Sequence, residues 1–260
     1  MTDGWRVKAR NTATTSDNKI HDDDVARSFG FTGGLVPGVD VYAYMTHPPV
    51  ETWGVDFLER GRMGARFHKP VYDGDELTVS FDGHALELRD SNDVVCATGW
   101  AELPDEDAAA GTLLDPRPLP ASRPPASEEA FRAAPDFGSL ESGFHAEHAP
   151  LYLADVGETL SLYAERAIAH PGWLLRTANF VLAANVKLGP WIHVSSTVQH
   201  HGLVHDADRV STRARVTKIF ETKGHKFVTL DVAIVANERE AMRVEHTAIY
   251  EPRPASAVAG

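Results

Sequence analysis

The 260-residue chain has a single cysteine, no apolar run of membrane-spanning length, and 25 Lys and Arg against 37 Asp and Glu. Each shortage excludes something. Cys96 cannot close an intrachain disulfide, and its place in the apolar run VVCAT reads as a small buried hydrophobe rather than a nucleophile. A membrane-crossing helix needs about 18 or more consecutive apolar residues, and the opening MTDGWRVKARN lacks the apolar centre of a secretory signal. The expectation is a cytoplasmic protein with no membrane partner. A formal net charge of -12, with no basic stripe interleaved with aromatics, argues against nucleic acid. HExxH, paired CxxC, Walker and GxSxG spacings are also missing, so no metal or redox cofactor is expected, nor nucleotide hydrolysis or α/β-hydrolase chemistry. What is present is 43% hydrophobic residues, enough for one large domain or two of roughly 130 residues. An acidic soluble enzyme or small-molecule binder fits this composition.

The sharpest break in composition is the Pro- and Ala-rich stretch 104–127, PDEDAAAGTLLDPRPLPASRPPAS, which excludes regular strand and long helix and reads as a linker or extended strap. Before it, Gly61 to Leu103 alternates like antiparallel strands, and after it Trp191 to Tyr250 does the same. The halves also share a register. VYDGD at Val71 matches VHDAD at Val204, and Leu35-Val36-Pro37-Gly38 matches Ile168-Ala169-His170-Pro171, both 133 positions apart. Ahead of each set of strands lies one apolar helical run, GVDVYAYMTHPPVETWG and GWLLRTANFVLAANVKLG. The expected organisation is a module over 1–103, the linker over 104–127, a second module over 128–252 and a tail over 253–260.

The segment GFTGGLVPGVDVYAYM, followed by FHKPVYDGDELTV, resembles the MaoC-like, R-specific enoyl-CoA hydratase branch of the hot-dog fold, and the second half resembles a diverged copy. The resemblance covers nearly all of the chain outside the linker and tail. It implies an α+β double hot-dog, with two long antiparallel sheets each wrapped around a central helix and meeting in one continuous surface. The implied activity is hydration of 2-enoyl, or dehydration of 3-hydroxyacyl, thioesters of coenzyme A or acyl carrier protein, with fatty-acid metabolism as the setting. A hot-dog thioesterase and a non-catalytic acyl-thioester binder are the alternatives, and two such chains could pair as a homodimer.

That family's signature is Asp-x-Asn-Pro-x-His, a short acidic helix, a Gly-Phe turn and a His-Gly helix opening. Here Asn18, His21, Gly30, Phe31 and Gly38 keep their places. Ser16 stands at the Asp position with Asp17 one residue later, Lys19 replaces Pro, and Pro37 replaces the second His. The resemblance thus implies Asp17 and His21 as the acid-base pair, Asn18 as water-positioning residue or helix cap, and the Gly38 amide as oxyanion donor. In the second half, counting back from His170 places Tyr152 on the His position, a copy less able to do the same chemistry. Trp173 and Phe180 are expected to border the acyl pocket between the halves. Asp22, Asp23 and Asp24 read as the acidic first turn of a short helix, and His193, His200, His201 and His205 as polar strand positions.

Overall fold

The computed structural model describes residues 4–109 and 111–253. The first half runs through β1 (Trp5–Lys8), a 3-10 turn (Lys19–His21), α1 (Asp23–Ser28), α2 (Gly38–Trp53), α3 (Val55–Arg60), β2 (Arg62–Phe67), β3 (Glu76–Phe81), β4 (Ala85–Asp90) and β5 (Val95–Glu102). After α4 (Glu128–Ala133), the second half runs through β6 (Leu140–Gly143), a 3-10 turn (Ala146–His148), α5 (Ala149–Asp155), α6 (Leu162–Arg166), α7 (Pro171–Asn185), β7 (Ile192–His200), β8 (Arg209–Thr222), β9 (His225–Ala236) and β10 (Arg239–Glu251).

Among the described residues, ten strands join one sheet in the order β1-β3-β4-β5-β2-β7-β10-β9-β8-β6. Every neighbouring pair is antiparallel. The seam between halves is the β2–β7 pair, from Arg62 opposite Gln199 to Arg66 opposite Ser195. Outward from that seam the two halves repeat one strand order. Helix α2 lies against β3 and β7, α7 against β8 and β10, and the two helices touch each other. Helix α2 is buried continuously from Val39 to Val50, which explains why its sequence is apolar on all sides rather than striped.

The 133-residue register is visible atom by atom. Val36 N donates to Val71 O at 2.8 Å, and Ala169 N to Val204 O at 2.9 Å. Tyr72 N donates to the Asp75 carboxylate and His205 N to that of Asp208, each at 2.8 Å. Gly74 and Ala207 both take a positive φ, 85° and 64°, inside these turns. The shared V-x-D-x-D pattern is therefore a carboxylate-closed turn leading into β3 and β8.

Among the described residues, 103–127 contain no helix or strand. This segment is nevertheless anchored along its length, by Arg213 Nη1 to Leu114 O at 2.8 Å, Ser139 N to Arg117 O at 2.8 Å and Lys187 N to Pro124 O at 2.7 Å. The tail beyond 253 lies outside the described residues. Among the described residues no helix is long and apolar enough to cross a membrane.

Candidate active site

Asn18 organises the first-half loop. Its side-chain oxygen caps the 3-10 turn by accepting from Ile20 N at 3.3 Å. The same amide donates to Trp191 O at 3.0 Å and accepts from Trp191 N at 3.1 Å, so it behaves toward the other half like a neighbouring strand. Only 8% exposed, it pins the loop to the residue before β7. His21 closes the turn, with Nδ1 2.7 Å from the Leu35 carbonyl. A carbonyl can only accept, so Nδ1 carries the proton and Nε2 keeps a lone pair in the neutral ring. Burial lowers the His21 pKa, opposed in part by the Leu35 hydrogen bond and the negative charge of Asp40. The ring is neutral at pH 7, and its Nε2 lone pair accepts from Asn18 Nδ2 at 3.3 Å, a long contact that would be exchanged for water when the ring acts as a base. Gly34 makes this packing feasible, because any Cβ there would run into the His21 carbonyl.

Two cavities meet at this histidine. One has a volume of ≈ 700 Å³ and the other ≈ 490 Å³, and Asn18, His21, Pro37, Asn179 and Trp191 border both. Asp17 is exposed in the loop before the turn and lines the larger cavity, with no hydrogen bond to His21 among the described residues. Phe180, 55% exposed, lines the same cavity. Gly38 opens α2 at the edge of the smaller one, where the backbone N-H groups of a first helical turn have no intrahelical acceptor. A Cβ on Gly38 would lie 2.8 Å from His193 Nδ1. Trp173 does not join these residues. It packs edge-on to Phe144 at 5.2 Å and lines a separate cavity of ≈ 100 Å³ with Tyr152, His148 and His170.

The described residues include three buried polar clusters. Asp40, 0% exposed in α2, accepts from Thr12 Oγ1 at 2.6 Å and from Arg176 Nη2 of α7 at 2.7 Å, while the Arg176 guanidinium lies 4.4 Å above the Tyr152 ring. Glu158 receives His47 Nδ1 at 2.8 Å and His170 Nε2 at 3.4 Å. Burial pushes the Glu158 pKa up, but hydrogen bonds from the two imidazoles and from backbone N-H groups outweigh it and hold the carboxylate ionised well below the usual range. Ser196 bridges His193 Nε2 at 2.9 Å and His246 Nδ1 at 3.1 Å, the two rings stacked with centroids 4.2 Å apart. Of the histidines read as polar strand positions, His193 and His200 do lie in β7, where burial keeps them neutral, whereas His201 and His205 fall between β7 and β8. His205 lies in the turn before β8. Asp40 and Arg176 escaped notice in the sequence, although a charge near the start of each of two apolar helical runs was the available signal. Among the described residues, no group of three or more His, Cys, Asp or Glu is arranged to hold a metal.

No protein-family model matches this chain, and no curated protein matches its sequence. Solved structures do match its backbone. A Chloroflexus aurantiacus protein named as a MaoC-domain dehydratase aligns with a TM-score of 0.60 at 13% identity, over 97% of this chain and 96% of that one. A Mycobacterium tuberculosis protein described as a double hot-dog gives 0.56 at 15% identity, over 96% of both chains. A Novosphingobium aromaticivorans protein named as a thioesterase gives 0.57 at 12% identity, over 96% of both. This chain has the double hot-dog fold.

The double hot-dog arrangement corrects one detail of the second half. Each half carries a 3-10 turn before its short helix, and the residue closing it is His21 in one and His148 in the other. From His21 to Pro37 is 16 residues, whereas from His148 to His170 is 22, because the second half also accommodates α6. Counting back from His170 therefore landed on Tyr152. His170 serves as the N-cap of α7, its Nδ1 accepting from Gly172 N at 3.0 Å.

Proposed function

We propose that this double hot-dog chain is a MaoC-like hydro-lyase that interconverts 2-enoyl and 3-hydroxyacyl thioesters of coenzyme A or acyl carrier protein. In this reading residues 1–103 and 128–252 are two copies of one module, joined by 104–127, and the first copy carries the chemistry. The observation that carries the proposal is His21: a neutral imidazole with Nδ1 committed to Leu35 and Nε2 unprotonated, at the junction of two cavities and near the N-terminus of a buried helix. In hydration the water oxygen bonds to C3 as one of its protons passes to His21 Nε2, and that proton is then handed to C2 by way of the Asp17 carboxylate, so both side chains end in the protonation states in which they began. Between these events the thioester oxygen carries enolate character, which the Gly38 amide at the start of α2 is suited to stabilise. The names of the Chloroflexus and Novosphingobium neighbours, a dehydratase and a thioesterase, support thioester chemistry without choosing between the two.

The purified chain should consume the enoyl absorbance of a 2-enoyl-CoA series graded in length, without releasing thiol. His21→Ala and Asp17→Asn should each lower turnover by about two to four orders of magnitude while leaving the melting transition nearly unchanged. Thiol release would favour a thioesterase. Absence of turnover on every enoyl thioester, or near-full activity in both variants, would reduce the chain to a binder.

A further inference from the structure

Asn18, His21, Pro37, Asn179 and Trp191 border both cavities, and their hydrogen-bonding capacity is unequal. Asn18 is fully engaged: its side-chain oxygen accepts from Ile20 N and Trp191 N, and its Nδ2 reaches Trp191 O and His21 Nε2. The Trp191 backbone is thereby matched as well. The Pro37 carbonyl accepts from Asp40 N and Val41 N. Asn179, in α7, differs. Its side-chain oxygen is buried and has no hydrogen-bond partner among the described residues. The same helix shows what a structural asparagine does: Asn185 accepts from Gly138 N at 2.7 Å and donates to Gly138 O at 2.9 Å and Val181 O at 2.8 Å. The Asn179 oxygen supports no such contact, yet its residue shares a helical face with Arg176, Phe180 and Ala183, all of which line the larger cavity.

Resting on the hydro-lyase reading above, we infer that Asn179 is the second anchor of the attacking water, so that the second half contributes a residue to the chemistry of the first. A water has two protons to give. His21 Nε2 takes one, once its long contact with Asn18 is released, and an amide oxygen at the same junction takes the other, which leaves a lone pair of the water free to face C3. The last side-chain torsion of asparagine is soft, so the oxygen turns toward the junction at little cost. As the water oxygen bonds to C3, one proton passes to His21 Nε2 and the other stays on the new hydroxyl group, still donated to Asn179. In the reverse direction the same bond holds the 3-hydroxyl while its carbon-oxygen bond breaks and His21 returns a proton to the departing oxygen. An unpaired buried amide oxygen is costly to a fold, and here the bound water supplies the missing partner.

Asn179→Leu keeps the shape and removes the acceptor. On 2-enoyl-CoA substrates the full chain carrying it should lose kcat by about a hundredfold with KM nearly unchanged, and its melting transition should stay or rise, because no hydrogen bond of the fold is lost. Asn179→Asp keeps an oxygen in place and should recover most of the turnover. Near-parent kcat in Asn179→Leu, a loss that falls on KM instead, a drop in melting temperature that tracks the lost activity, or an Asn179→Asp chain no better than Asn179→Leu overturns the inference. A parent that releases thiol without hydrating would sink the hydro-lyase reading alone: the water then attacks the thioester carbon, and the hundredfold loss in Asn179→Leu should appear in thiol release, its absence there overturning the anchor. A parent inert in both assays removes the reading and the anchor together.

Discussion

Gly38 shows how one position can answer to two demands. Gly38 opens α2 and lines a cavity, which suits a bound oxygen near its amide, and the space where a side chain would stand is filled by His193. His193 cannot easily yield, since it is held by Ser196 and stacked on His246. Gly38→Ala should therefore cost about 1–3 kcal/mol through overpacking, read as a lower urea midpoint at unchanged slope, and His193→Ala in the same chain should recover part of it. A midpoint that does not move would mean that the glycine serves the ligand alone. The family signature, which Asn18 and His21 keep in their spacing, was what singled them out in the sequence. Nothing local could show that Asn18 bonds Trp191, since 173 residues separate them.

At the scale of elements, helices α2 and α7 are joined by a charge pair. Asp40 and Arg176 each interrupt an apolar run, and each finds its partner only when α2 and α7 lie side by side. Removing one member of a buried pair strands the other, at a cost of about 3–5 kcal/mol. Asp40→Ala should lose stability on that scale in a thermal or urea melt, whereas a loss below about 1 kcal/mol would mean that Arg176 reaches solvent through the cavity it lines. Helix α2 also runs through Pro48 and Pro49. A mid-helix proline normally costs about 3 kcal/mol or more, and burial on every side keeps the element helical here. Both helical runs were legible as apolar segments. The long stretch from Trp191 to Glu221 was less so, because its alternation continues past His200, where the chain actually leaves β7 and turns before β8.

For the whole molecule, buried histidines set the response to acid. His21, His170 and His193 have lowered pKa values chiefly through burial, and His200 and His246 are pushed down to about 3. The sign is fixed by comparison with the unfolded chain, where histidine takes up its proton near pH 6.5. Below that pH the unfolded state binds more protons, so stability is present above about 6.5 and is lost as pH falls, by up to ~1.4 kcal/mol per pH unit for each such histidine. Glu158, whose carboxylate is held ionised by its histidine partners, acts in the same sense below the ordinary carboxylate range. Urea midpoints should fall steadily between pH 7 and 4, and His246→Phe should flatten that decline. A midpoint independent of pH over this interval would count against neutral burial.

Composition and periodicity determined the main features of the architecture: two strand-rich halves, one apolar helix ahead of each, and a proline-rich segment between them that could form neither. These are local properties, set by φ restriction, side-chain alternation and turn-closing carboxylates such as Asp75 and Asp208. The family signature likewise brought Asn18 and His21 forward, and a single turn holds them. Tertiary structure decided what those residues face. Pairing of β2 with β7 fused the halves into one sheet, brought Trp191 to Asn18, placed Arg123 beside Lys187, and put Trp173 at a different cavity from Phe180. Contacts between residues far apart in the chain depend on how two buried surfaces settle against each other, and no pattern within one segment encodes that packing.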